Sequence, residues 1–217
     1  KVLIQTGNTD LLPSYLRFVN GVVDSEDLPL NVSRENVQKN ALIEKIKNSL
    51  TLRVLKELQT LAEQNVEKYG KFWQTYGTLL KEGVSSDFKN KDRLKDLLRF
   101  NSSISEDSST DVTLKDYVSR MREEQKDIFY VTGGSREAIL HNPNLEYFRR
   151  QGLEVLFLTD QIDDFMVVDL RDYDGKTLKN ISQGDIEGIN DSDMSVAESS
   201  LSKEEKSDIL AFFKKQL

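Results

Sequence analysis

The sequence predicts an α/β fold: a helical layer built on one long helix, then a small three-layer αβα unit with a mostly parallel sheet, then a terminal helix. Three observations carry this. An apolar stripe at helical spacing runs from Arg34 to Ala62 with no Pro or Gly inside it. From Thr113 onward, short apolar runs alternate with helical patterns, as parallel strands joined by crossover helices do. Near the end, Ser202 and Glu205 form a capping box ahead of Ile209, Phe212, Phe213 and Leu217 on one face.

The elements follow in order. Val2–Gln5 reads as a strand. Asp10 is placed to cap a helix over Leu11–Val19, which Gly21 closes. Pro29 keeps Leu28 extended, and Ser33 is the N-cap of the long helix. That helix covers about 29 residues, or about 43 Å at 1.5 Å per residue. Asn65 caps a second helix, Val66–Lys81, ended by Gly83. Asn90 caps a third through Leu98, and together these make an antiparallel helical layer. Asn101–Asp111 is serine-rich and acidic and reads as a surface loop. Thr113 and Asp116 start a short helix, and Ile128–Val131 is a strand. Ser135 opens a helix through His141, and Asn142–Pro143 opens another through Arg150, stopped by Gly152. Val155–Leu158 is a strand, Ile162–Leu170 a helix, and Asp174–Gly175 turns into a last strand at Thr177–Ile181. Unbroken apolar runs suit strands buried on both faces. Gln183–Ser200 has no period and reads as a linker.

Composition narrows the function. The 217 residues carry a net charge of -7, with no basic stripe to follow a nucleic acid. There is no cysteine and one histidine, His141, so thiolate and multi-histidine metal sites are excluded. No apolar run approaches the roughly 20 residues of a membrane span, and no signal peptide opens the chain. A soluble cytoplasmic protein is expected. The chain starts at Lys1 directly in an apolar run, and the terminal helix has no later partner for its apolar face. Both features suggest a piece of a longer protein.

One local rule is broken. Arg34 stands in the first turn of the long helix, where the dipole disfavours a cation. Arginine, free amide groups and the dipole together suit an anion, and Gln38 lies one turn on, on the same side. On spacing alone, a surface arginine paired with Glu35 or a loop acid is the default.

The stretch GVVDSEDLPLNVSRE, residues 21–35, closely resembles the signature of the heat-shock protein 90 chaperone family. KFWQTYGTLLKEG at Lys71–Gly83 and LEVLFLTDQIDDF at Leu153–Phe165 resemble that family's middle segment, most like its bacterial HtpG type. The resemblance is dense from Val2 to about Ile181. It implies that residues 1–40 end the larger middle subdomain with a catalytic loop, 41–112 form a helical connector, 113–186 a small αβα subdomain, and 187–217 a linker with the first helix of the C-terminal domain. It implies an ATP-dependent chaperone whose Arg34 reaches the γ-phosphate of ATP, with Mg, on a separate N-terminal domain, with Gln38 on the same loop. It also implies homodimerisation of the full-length protein, and unfolded clients held near Phe165 and Met166. No counterpart of the nucleotide domain is present, so ATP binding by this chain alone is not expected.

Two other readings stand beside this. FYVTGGSREA, with Gly133 and Gly134, resembles a glycine-loop phosphate cradle but lacks a P-loop lysine and the GxGxxG spacing. The plainer reading is a tight turn in an ordinary α/β unit, which needs glycine for positive φ. Family members often carry TGES there, with Glu in place of Gly134, which suggests a loop that is not chemically constrained. A self-contained doubly wound phosphate-binding enzyme, or a helical adaptor, would follow if the resemblance failed. The pairs Asp163–Asp164 and Glu123–Glu124 read as solvated faces, because neighbours on a helix diverge by about 100°.

Overall fold

The computed structural model describes residues 6–24, 41–106, 109 and 111–183. The expected strand at Val2–Gln5, the Arg34 loop with Gln38, the linker past Gln183 and the terminal helix lie outside the described residues.

The helical layer comprises α1 (Ala41–Gln64), α2 (Val66–Ser86) and α3 (Lys91–Leu97). Asn65 caps α2, its side chain accepting from Lys68 N at 2.9 Å. Gly83 does not end α2. It lies buried inside the helix, where an added Cβ would come within 2.9 Å of the Tyr15 ring. The chain therefore uses glycine here to let two elements approach closely, and α2 continues another turn. Asn90 makes no side-chain cap; it donates its amide groups to Asp87 instead. The helix expected over Leu11–Val19 is reduced to a 3-10 turn at Ser14–Leu16. Pro13 stands extended before it and forbids helical backbone at Leu12.

The later half contains β1 (Asn101–Ser102), α4 (Leu114–Arg120), β2 (Asp127–Thr132), α5 (Arg136–Leu140), α6 (Pro143–Arg150), β3 (Leu156–Leu158), α7 (Asp163–Leu170), β4 (Asp172–Tyr173) and β5 (Lys176–Asn180). The sheet order is β1-β3-β2-β5-β4. β2 pairs in parallel with β3 and β5, while β1 and β4 add antiparallel edges. The sheet is thus mixed, and the parallel expectation holds for its three central strands. Each edge strand is two residues long, too short to leave a hydropathy pattern. β1 takes in the start of the expected surface loop. Asn101 and Ser102 are buried, and Arg136 donates to Asn101 Oδ1, Ser102 O and Ser105 O.

Neighbouring strand residues feed two core clusters. Phe129, Val131 and Phe157 pack with Ile139, Leu145 and Phe148 of α5 and α6. Ile128, Leu156 and Leu158 pack with Met166 and Leu170 of α7 and with Tyr69, Leu80 and Leu94 of the helical layer. This is why the strand sequences read as continuous apolar runs. The Thr113–Asp116 capping box forms as the sequence indicates, with Asp116 N donating to Thr113 Oγ1 at 2.9 Å.

Candidate functional site

The described part of the candidate site is built on α7. Met166, Val167 and Leu170 face the core, and Met166 is fully buried. Phe165 and Val168, one turn apart, point away and are 74% and 64% exposed. The expected client pair Phe165–Met166 therefore splits. Adjacent helical residues diverge, so only Phe165 is on the surface and Met166 is a core residue.

Lysines from the helical layer fix both ends of α7. At its start, Lys81 Nζ of α2 lies 2.6 Å from Asp160 Oδ2 and 2.7 Å from Asp163 Oδ1. Asp163 Oδ2 accepts from Asp160 N at 3.0 Å, and Asp163 N donates to Asp160 O at 2.9 Å. Oδ1 receives no well-aligned hydrogen bond, so its attraction to Lys81 is chiefly Coulombic. At the far end, Lys91 Nζ donates to Asp169 O, and Lys95 Nζ donates to Asp172 Oδ1 at 3.3 Å. Arg171, with φ 54°, ends the helix. α7 is thus a clamped platform that presents Phe165 and Val168.

Asp163 is a correction to the solvated-face reading: it is 1% exposed. Burial raises its carboxyl pKa above the usual value, against the opposing pull of Lys81. Lys81 escaped sequence reasoning, although a signal exists. It lies on the face of α2 that carries Tyr69, Trp73, Leu80 and Val84, where a lysine needs a buried partner.

The positive φ expected at the glycine turn is absent, since neither Gly133 nor Gly134 has it. The groups that would form a phosphate cradle are committed elsewhere. Gly133 N donates to Leu158 O at 3.0 Å, and Ser135 Oγ accepts from Ala138 N at 3.2 Å as the cap of α5, which is 5 residues long. Gly133 is needed for space instead, because a Cβ there would meet Ile139 at 2.6 Å. His141 is exposed, with Nδ1 2.7 Å from Glu137 O. Glu123 and Glu124 are exposed as expected. Among the described residues, no group of three or more His, Cys, Asp or Glu is arranged to hold a metal, and no helix is long and apolar enough to cross a membrane.

A family model described as Hsp90 protein matches residues 1–217, which include Arg34 and Gln38. The chain belongs to the Hsp90 family. Bacterial proteins of the HtpG type are among its relatives. It is 52% identical over 180 residues to chaperone protein HtpG of Francisella tularensis subsp. novicida, covering 83% of this chain and 29% of the relative. HtpG of Chlorobaculum tepidum is 47% identical over 220 residues, 100% of this chain and 34% of the relative. HtpG of Halorhodospira halophila is 44% identical over 195 residues, 89% and 31% respectively. The chain spans about a third of the length of these Hsp90 relatives.

Proposed function

We propose that this chain is a segment of an ATP-dependent molecular chaperone of the cytoplasm, one that supplies Arg34 in trans to ATP hydrolysis on a separate N-terminal domain. The observation that carries this is the Hsp90 match over 1–217, which spans the Arg34 loop. Arg34 neutralises charge on the departing γ-phosphate, alongside the Mg that accompanies ATP, and Gln38 assists as a neutral amide. α7 offers Phe165 to partly unfolded clients, with the full-length protein acting as a homodimer. The segment alone neither binds nor hydrolyses ATP.

The test uses the parent chaperone. Arg34→Ala leaves ATP binding intact and lowers steady-state turnover about tenfold or more. Arg34→Lys rescues poorly, because the planar fork is lost. Gln38→Ala is milder. Unchanged turnover with a collapsed melting point would make Arg34 structural and overturn the reading.

A further inference from the structure

A cavity of about 330 Å³ opens between the end of α4, the loop after β1 and the turn that follows α6. It stands apart from α7 and from the Arg34 loop in sequence, and nothing in the proposed chaperone cycle uses it. Three arginines line it, Arg120, Arg122 and Arg149, against one carboxylate, Glu154. Glu123 and Glu124, though adjacent in sequence, are not among the lining residues.

The three cations are not equivalent. Arg120 is committed: its Nε and Nη2 donate to the two oxygens of Glu154 at 3.0 and 2.9 Å. Arg122 is exposed, its Nη2 donates to the backbone carbonyl of Gln151, and it has no carboxylate partner among the described residues. Arg149, in the last turn of α6, has no carboxylate partner among the described residues. The polar floor is already satisfied. Tyr117 donates its hydroxyl to Glu154 O at 2.7 Å and accepts from Phe129 N at 2.9 Å. Met121, Leu153 and Ile104 supply apolar wall, and Ile104 is exposed at the rim. Gly152 makes room for the guanidinium of Arg122. Its φ is +63°, and an added Cβ would lie 3.0 Å from Nη2.

Two guanidiniums without a carboxylate partner among the described residues line this cavity together with apolar side chains, a combination that suits one kind of ligand. We infer that this cavity binds a small organic anion, a single carboxylate or phosphate head on an apolar body, with Arg149 and Arg122 holding the head and Met121 and Leu153 the body. The volume lies at the lower end of the range for small-molecule pockets, which suits a ligand of one ring. Guanidiniums pair with either head in a forked geometry, so head chemistry is left to the experiment.

The test is a titration of the 217-residue chain followed by amide NMR. The probes are phenyl phosphate, phenylacetate, inorganic phosphate and benzyl alcohol. At least one of the two ring-bearing anions is expected to shift the amides of Gly152, Leu153 and Met121 saturably below about 1 mM, and the tighter one names the head. Inorganic phosphate and benzyl alcohol should bind at least about fivefold more weakly than that probe, since each lacks one half of the recognition. Arg149→Gln should weaken the tighter probe about threefold to tenfold and leave melting unchanged, because Arg149 is exposed; Arg122→Gln should act in the same direction. Absence of saturation at those amides by about 10 mM for both ring-bearing anions would overturn the inference. So would benzyl alcohol binding as tightly as the anions, or full affinity in both arginine variants.

Discussion

Lys81 Nζ and Asp163 Oδ1 lie 2.7 Å apart, with side chains 6% and 1% exposed, and this contact joins α2 to the start of α7. A buried pair is costly to break from one side, because the remaining charge keeps its desolvation penalty. Lys81→Met should therefore destabilise the fold by about 3 kcal/mol, read as the urea midpoint at constant slope. Replacing both, Lys81→Met with Asp163→Leu, should recover part of the loss. Recovery stays incomplete because the bond from Asp160 N to Asp163 Oδ2 is also removed. A double variant no more stable than Lys81→Met would mean that this capping contact outweighs the penalty of leaving Asp163 unpaired.

The same aspartate gives a signed pH dependence. Burial raises its folded pKa above 3.8, so the native state holds this proton more tightly than the unfolded chain does. Its contribution therefore falls as pH rises from about 3.8 through the folded pKa. Glu82 has the opposite sign. Arg17 holds it below 4.5 through bonds of 2.6 and 2.8 Å, and that stability is present above 4.5 and lost as pH falls through the folded pKa. Urea midpoints from about pH 3 to 7 should show Asp163→Asn losing the falling contribution and Glu82→Gln losing the rising one. Identical pH profiles in wild type and Asp163→Asn would refute the assignment to Asp163.

Gly83 sets two effects against each other. Alanine is favoured over glycine inside a helix by about 1 kcal/mol. The new Cβ, however, would sit 2.9 Å from Tyr15 Cγ and 3.1 Å from Leu94 Cδ1. Tyr15 has little freedom to retreat, since it is buried and its hydroxyl donates to Asp87 Oδ2 at 2.8 Å. Overpacking of this kind costs about 1–3 kcal/mol, so Gly83→Ala should be net destabilising. Thermal melting of the variant decides the sign.

What was legible in the sequence was local. Asn65 and Thr113 announced their helices through side chains that reach backbone amides three residues on. The apolar runs at Ile128–Val131 and Val155–Leu158 announced strands with two buried faces, and their residues do divide between two clusters. What stayed hidden depends on residues far apart in the chain. Asp163 looked solvated because its partner, Lys81, is on another helix. Gly83 looked like a stop because Tyr15, which needs its space, comes much earlier. The residues brought together around Arg122 and Arg149 come from several elements and share no motif. Arg34 and Gln38, read from a local rule and a resemblance, lie outside the described residues.

Phe165 and Met166 offer the clearest separation of surface from core, because they are neighbours with opposite exposure. Met166 is fully buried against the cluster that joins α7 to the sheet and the helical layer. Met166→Ser removes that packing and leaves a hydroxyl in an apolar setting, so it should cost about 3 kcal/mol or more. Phe165 is 74% exposed, and Phe165→Ser should change stability by less than about 0.5 kcal/mol. The functional readout should run the other way. In the parent chaperone, Phe165→Ser should weaken suppression of aggregation of an unfolding client while the melting temperature stays in place. Val168→Ser, one turn along on the same exposed face, should act in the same direction and deepen the defect when combined with it. Capture unchanged in the Phe165→Ser/Val168→Ser double variant would remove α7 from client holding and leave it a structural clamp.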